Sequence, residues 1–319
     1  MSAPAAVTEV NPPSVLHLPE SELVGGPGTA EVIEDFERFA GSVFVALFGT
    51  ALFDQVALPS VAAGLEWTGR IRYTPFERAV RTAAADQLVM LAPEADSKRE
   101  MERLVRLHRD VKGTSPDGVR FSALHPESWN WILLSTFFMY RGAFETVTGR
   151  ELTDDGNQAV WDLIRTRFAG LQYPDARFAL ARSYSEIAEY YEKMVADKCR
   201  RTDMLCDVVT LARRPTPPPP LPRVAKPLWN VLVAPIAGRV LTTSGFGIMH
   251  PKVRQLAGIK WGRRERLEFA ALSRVLRVAY ARLPERLVLT PLAYHRRKAG
   301  ELVLRYRDLG LSSFAPDFR

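Results

Sequence analysis

The chain has 319 residues, 47% of them hydrophobic and 25% charged, a composition that is ordinary for a globular protein and excludes general disorder. Its net charge of +7 combines +15 between Cys199 and Arg319 with −8 in the 198 residues before them. The basic third contains no recognisable nucleic-acid-binding module, and its charges are not interleaved with aromatic residues, so we expect no nucleic-acid partner.

Apolar residues recur at the helical period along most of the chain, and no alternating pattern of convincing strand length occurs. We therefore predict an all-α fold, a single large globin-like or orthogonal helical bundle over residues 20–303. Residues 1–19 are predicted to be disordered, residues 213–222 to form a stiff Pro-rich crossing loop, and residues 304–319 to form a loose tail. Helices are predicted at or near Thr29–Arg38, Ala40–Leu65 (one or two helices), Pro75–Leu91, Ala95–Lys112, Pro126–Val147, Thr153–Ala169, Asp175–Ala196, Pro227–Leu241, Pro251–Leu256, Arg264–Leu283 and Glu285–Lys298.

The cysteines, the N-terminal sequence and the basic C-terminal third indicate the cellular compartment. Cys199 and Cys206 are placed on one helix, too far apart to form a disulfide, which is typical of a reducing environment. No signal peptide is recognisable, and the longest apolar run, Val43–Phe53, is too short to span a bilayer. We expect a cytoplasmic protein whose basic C-terminal third allows peripheral membrane contact, and the oligomeric state is left open.

His108 is the strongest candidate for a functional residue. Together with Met101, Leu104 and Val105 it follows the i, i+3, i+4, i+7 spacing of one helix face, so the imidazole points toward the core. A buried imidazole needs a hydrogen bond or a metal for its nitrogens. Pattern alone favours an ordinary hydrogen-bonded core histidine and leaves a metal ligand as the alternative.

The residues around His108 are typical of a haem pocket. Arg78 and Thr82 lie i, i+4 on the helix before it, where they could neutralise a propionate, and the helix after it carries Trp129 and Trp131. The chain has five histidines and no pair at metal-ligand spacing, which disfavours zinc or a two-histidine iron site. A metal held by one histidine points to a porphyrin, because the porphyrin supplies the other four nitrogens.

Short motifs in a fixed order resemble a known family. They are Pro59-Ser-Val-Ala-Ala-Gly64, Arg78-x-x-Arg-Thr82, Val105-Arg-Leu-His108-x-x-Val-x-Gly113 and Ala123-x-x-Pro-Glu-x-x-x-Trp131. Together they are similar to the latex-clearing-protein (rubber oxygenase) and MpaB-type oxygenase family, over roughly Gly25 to Pro291. The resemblance implies an all-helical haem b protein in which His108 is the proximal iron ligand and Arg78 and Thr82 lie near the haem. It also implies an enzyme that cleaves isoprenoid double bonds with O₂.

The chain departs from the family at several positions. Arg81 stands where rubber-cleaving members can carry an iron-binding lysine, and an arginine is a poor iron ligand, so we expect an open distal side. Leu133 lies in the segment after Trp131 where many relatives have a histidine. The region around Ala62 offers no acidic residue that could serve as the base proposed for rubber cleavage.

The sequence therefore predicts a haem b-dependent oxygenase that uses O₂ on an apolar, isoprenoid- or lipid-like small molecule. In this prediction His108 binds the iron, Arg78 and Thr82 are catalytic and cofactor-binding residues, and Trp131 lines the cofactor. Two alternatives stay open: a haem- or lipid-binding carrier without turnover, and a helical scaffold that uses the basic third and the Pro-rich loop for partners.

Overall fold

The computed structural model describes residues 28–173 and 175–309, and over these residues the protein is almost entirely helical, as predicted. The predicted disordered residues 1–19 lie outside the described part of the chain. The first half contains α1 (Thr29–Ala40), a 3₁₀ helix (Val43–Ala57), α2 (Pro59–Thr68), α3 (Arg70–Tyr73), α4 (Pro75–Leu91), α5 (Glu94–His108), β1 (Lys112–Thr114), β2 (Arg120–Ser122), α6 (Pro126–Thr148) and α7 (Asp154–Arg167).

The second half continues the helical pattern after a short 3₁₀ turn at Ala169–Leu171. It contains α8 (Tyr184–Asp197), α9 (Asp203–Arg213), a 3₁₀ turn (Arg223–Ala225), α10 (Lys226–Leu228), a π-helical turn (Trp229–Val233), α11 (Ala234–Ile248), α12 (Pro251–Leu256), α13 (Arg263–Arg282), α14 (Glu285–Val288) and α15 (Pro291–Asp308). The predicted helix Pro75–Leu91 and the predicted helix Pro251–Leu256 have the predicted bounds.

Some predicted elements were wrong in the second half. The predicted helix from Asp175 begins only at Tyr184, and α9 was missed, so Cys199 and Cys206 do not share a helix; both are free. The predicted helix Glu285–Lys298 is broken, because Leu289 is extended and pairs with Ser42 in an isolated bridge ahead of Pro291. Helix α15 runs to Asp308, so the first part of the predicted tail is helical.

A small antiparallel hairpin of β1 and β2 follows α5. In its register Gly113 pairs with Phe121. A Cβ on Gly113 would lie 3.1 Å from Phe121 Cζ, so a larger residue would push the ring away. Gly118 supplies the positive φ of 81° that the turn needs. The hairpin ties the segment after His108 back to the start of α6.

The 3₁₀ helix Val43–Ala57 crosses the middle of the protein between α6 and α11. A 3₁₀ run of this length is unusual, and its neighbours fix it: the Thr50 hydroxyl donates to the Leu241 carbonyl of α11 at 2.8 Å. A Cβ on Gly245 of α11 would lie 2.0 Å from Thr50 Oγ1, so the backbone of α11 packs directly against the 3₁₀ helix with no room for a side chain at Gly245. The glycine is therefore required for the crossing.

Two apolar clusters form the core. The first joins α1, α6 and α7 through rings such as Phe36, Tyr140 and Phe144. The second joins the end of the 3₁₀ helix to α8, α9 and α12 and includes Trp131 and Tyr191. A wide opening between α2, α4, α5 and α6 remains beside both clusters. The prediction of one domain over residues 20–303 stays a prediction.

Asp54 is a carboxyl buried beside the second cluster. The Tyr191 hydroxyl donates to its Oδ2 at 2.8 Å, while Oδ1 has no hydrogen-bond partner among the described residues. Burial raises the pKa of Asp54 to about 7, against the opposing effect of the Tyr191 bond. Asp54 therefore keeps its proton in the folded protein at pH values where the unfolded chain has lost it.

This difference predicts a pH-dependent loss of stability. As the pH rises from about 4 to about 7 the unfolded state binds fewer protons than the folded state, so the Asp54 contribution to stability is lost across that window. Asp54→Asn removes the titration and keeps an acceptor for Tyr191. Chemical denaturation should find the variant more stable relative to wild type at about pH 8 than at about pH 5, by about 2 kcal/mol. An equal difference at both pH values would contradict the assignment.

Candidate functional site

A cavity of about 900 Å³ lies between α2, α4, α5 and α6, a volume within the range of small-molecule sites. More of its exposed wall is apolar than polar, and polar side chains from several elements also line it. The apolar lining comes from Leu52, Val61, Leu65, Val89, Leu104, Leu107, Val111, Trp129, Ile132, Leu133, Phe168 and Leu171.

The helical hairpin α4–α5 brings the three main predicted residues together. Pro75 occupies the first turn of α4, and a two-residue connection turns the chain back so that α5 packs against α4. Arg78 and Thr82 lie one turn apart on the cavity face of α4, and His108 is the last residue of α5. All three line the cavity, as the spacing in the sequence predicted.

The imidazole of His108 is fixed by the helix that carries it. Its Nδ1 lies 2.7 Å from the Leu104 carbonyl oxygen, which can only accept, so Nδ1–H is the donor. In the neutral ring Nε2 then keeps a free lone pair, and no described residue forms a hydrogen bond with it. Burial lowers the pKa of His108, and the nearby charges of Arg78 and Arg103 lower it further against the effect of the Leu104 bond. Neutral pH therefore favours the neutral ring that can bind a metal.

Of the two tryptophans, it is Trp129 that contacts His108. The two rings meet edge to face with centroids 5.3 Å apart, and the Trp129 indole N–H donates to the Leu171 carbonyl. Trp131 is fully buried elsewhere: it stacks on Tyr191 at 5.1 Å, and it does not line the cavity. Side chains two residues apart on a helix point in roughly opposite directions, so only one of the two tryptophans can face His108. The structure does not bring Trp131 to the site.

Arg81 also lines the cavity, but its guanidinium points to the rim. The side chain is 67% exposed and pairs with Glu77 at 3.4 Å. Within the described ranges, no group of three or more His, Cys, Asp or Glu side chains could hold a metal ion. A metal at His108 would therefore have to bring most of its donor atoms with it.

Asp86 is a cavity residue that the sequence analysis missed. It follows Thr82 by four residues and so continues the stripe that begins at Arg78. Burial raises the pKa of the half-buried Asp86 carboxyl to about 7. The signal was present in the sequence as the i, i+4, i+8 spacing, but a lone acidic residue in a polar helix has no motif to single it out.

Comparison with protein-family models gives one match. Residues 38–278 match the family described as "ER-bound oxygenase mpaB/B'/Rubber oxygenase, catalytic domain". The chain belongs to this family. The suspected resemblance is thereby confirmed, and with it an oxygenase that acts with O₂ on a small molecule. Comparisons with curated proteins and with solved structures give no match.

Filling the oxygenase cavity should block ligand entry. Ala85 lines the cavity and is buried, whereas its neighbour Ala84 is exposed on the outer face of α4. Ala85→Phe should weaken binding of the apolar dye anilinonaphthalene sulfonate at least tenfold, and Ala84→Phe should not. Fluorescence titration measures the affinity, with circular dichroism to check that both variants fold. Equal dye binding by the two variants would show that the dye does not use this cavity.

Proposed function

We propose that the chain is a haem b-dependent oxygenase in which His108 binds the iron and an apolar, isoprenoid- or lipid-like substrate occupies the same cavity. The observation that carries the proposal is the unpartnered Nε2 of His108 on the wall of a mostly apolar cavity of about 900 Å³. Its membership of an oxygenase family supports the use of O₂. Family membership alone establishes neither the haem nor the substrate class, and both are part of the proposal.

The residues present fit a haem. A porphyrin supplies four nitrogen ligands, so its iron needs only one histidine from the protein. This fits the described residues, which offer no group of three metal-binding side chains. The Nδ1–H bond to Leu104 is the outer hydrogen bond that metal-binding histidines use to hold their ring and tautomer. Arg78 and Thr82, on the facing helix, offer a cation and a hydroxyl for the propionates.

When bound, the haem would supply the iron that activates O₂. The chain itself would bind and orient the substrate. Leucine and isoleucine side chains from α5 and α6, such as Leu104, Ile132 and Leu133, bind an apolar chain, and the edge of Trp129 restrains the imidazole. Arg81, paired with Glu77 at the rim, does not compete for the iron.

Replacing His108 tests the haem proposal. The purified full-length chain, loaded with haemin, should show a Soret absorption band. His108→Ala should lose or strongly shift that band, because no other described histidine lines the cavity. His125→Ala is the matched control, since His125 is exposed at the start of α6. A wild-type chain without a Soret band, or the same spectrum in both variants, would overturn the proposal.

Turnover is tested separately from haem binding. The haem-loaded wild type should consume O₂ when isoprenoid alkenes such as squalene or farnesene are added, and His108→Ala should not. A flat oxygen-electrode trace across such a panel, from protein with a normal Soret band, would exclude this substrate class.

A second part of the proposal places the enzyme at an anionic membrane surface. From residue 208 to residue 264 the chain has no acidic residue. In this segment Val224, Val231 and Ile236 are exposed to 89%, 71% and 66%, and Arg223 and Lys226 lie beside them. Arg223–Ile248 is the one described helix that is long and apolar enough to cross a membrane, or one of two if the bent pair Val43–Ala57 and Pro59–Thr68 counts as a span; core helices pass the same test.

The way this helix packs favours surface contact over crossing. Its second half packs on the 3₁₀ helix through Gly245, while its first half lies open to solvent. At its start, Trp229 donates to the Pro215 carbonyl, so the Pro-rich loop after α9 supports the exposed end. An apolar face next to positive charge is the chemistry that binds the interface of an anionic bilayer.

Vesicle sedimentation tests the membrane contact. The chain should bind phosphatidylglycerol vesicles and bind phosphatidylcholine vesicles much less. Val231→Glu combined with Ile236→Glu should lower binding at least about tenfold, because two apolar side chains no longer enter the interface. Val275→Glu, at a position 62% exposed on α13, is the control. Equal binding by the double variant and the control would contradict the surface.

A further inference from the structure

Asp86 is a carboxyl group in the cavity without a partner of its own. Among the described residues, no donor forms a hydrogen bond with it and no Lys or Arg lies within 4.0 Å of its oxygens. Two of the arginines that line the cavity have other partners: Arg103 pairs with Glu100 at 2.5 Å, and Arg81 pairs with Glu77. The carboxylate therefore faces the cavity uncompensated.

The position of Asp86 separates it from the groups assigned to the haem. At a rise of about 1.5 Å per residue, Asp86 lies about 6 Å along α4 from Thr82 and about 12 Å from Arg78. Its neighbours on the cavity stripe, Ala85 and Val89, are apolar. The cavity thus has arginine and threonine at one end of the α4 stripe and a single acid toward the other.

The surroundings of Asp86 make an unpartnered carboxyl expensive. Tyr140 of α6 is fully buried near it, and burial raises the pKa of that phenol well above its usual range, with a smaller contribution from the negative charge of Asp86. A partly desolvated carboxyl without a donor is destabilising, and a leucine there would avoid this cost. A bound molecule that donates a hydrogen bond to Asp86 would explain why a carboxyl group stands at this position.

We propose that Asp86 is the specificity-determining residue of the substrate site, and that it accepts a hydrogen bond from a hydroxyl at the end of an otherwise apolar substrate. The inference rests on the proposal that the cavity is the substrate site of the oxygenase, but it does not depend on the haem. It narrows the substrate class to apolar alcohols, and it disfavours carboxylic acids, whose charge Asp86 would repel.

The test uses a pair of probes that differ only in the donor. Decan-1-ol and decyl methyl ether have nearly the same apolar surface, but the ether has no hydroxyl to donate. Binding to the full-length chain is measured by dye displacement without haem and by the change in the haem spectrum with haem. The measurements are made at about pH 8, where Asp86 is mainly ionised and can only accept.

The wild type should bind the alcohol about ten- to a hundredfold more tightly than the ether, as expected for a hydrogen bond to a charged acceptor. Asp86→Leu should abolish this preference by weakening alcohol binding alone, and Asp86→Asn, which keeps an acceptor oxygen, should retain part of it. Asp110→Asn, at the other carboxyl that lines the described cavity wall, is exposed and should keep the full preference.

Three results would overturn the inference: equal affinity of the wild type for the two probes, an equal loss of affinity for both probes in Asp86→Leu, or no binding of either probe to the wild type. The inference and the haem proposal fail independently. His108→Ala should keep the alcohol preference in the dye-displacement assay, and Asp86→Leu should keep the Soret band. Loss of the Soret band in Asp86→Leu with an unchanged alcohol preference would assign Asp86 to the haem instead of to the substrate.

Discussion

The hydrogen bond from His108 Nδ1 to the Leu104 carbonyl is the constraint on which the candidate site depends. It links a residue at the end of α5 to the preceding helical turn, and so it fixes both the ring orientation and the tautomer. The edge of Trp129 supports the ring from α6. Without these two contacts a histidine at a helix end could rotate toward solvent. With them, Nε2 stays on the cavity wall as a neutral donor of a lone pair.

Three polar side chains of the cavity lie along one stripe of α4. Arg78 and Thr82 stand near the histidine, and Asp86 lies further along the helix. Burial lowers the pKa of His108, and the positive charges of Arg78 and Arg103 lower it further, so the surroundings favour the neutral imidazole. The apolar walls from α5 and α6 lower the local dielectric, so each of these charges interacts more strongly than it would in water.

Periodicity could place Arg78, Thr82 and His108 because they lie on two regular helices, whereas their roles stay a prediction. Arg78 and Thr82 are i, i+4 neighbours on α4, His108 follows Met101 by seven residues on α5, and the structure brings Arg78, Thr82 and His108 to one cavity. The choice between Trp129 and Trp131 could not be made from the sequence, since both face apolar surroundings and only the packing of α6 decides which one meets α5. Asp86 was missed because its role depends on the lack of a partner, which is a property of three-dimensional packing.

The parts of the fold that the sequence did not predict depend on tertiary contacts. The 3₁₀ form of Val43–Ala57 depends on its close approach to α11 at Gly245, and the break before α15 depends on pairing between Leu289 and Ser42. Helix α9 could have been found, because Thr202 accepts a bond from the Leu205 N–H as an N-cap, and threonine is a common start signal.

The most direct test of the account is a crystal structure of the full-length chain loaded with haem b. We expect iron bonded to Nε2 of His108, with Nδ1 still donating to the Leu104 carbonyl and with Arg78 and Thr82 beside the propionates. Iron bound to another residue, or a haem outside the cavity between α2, α4, α5 and α6, would contradict it.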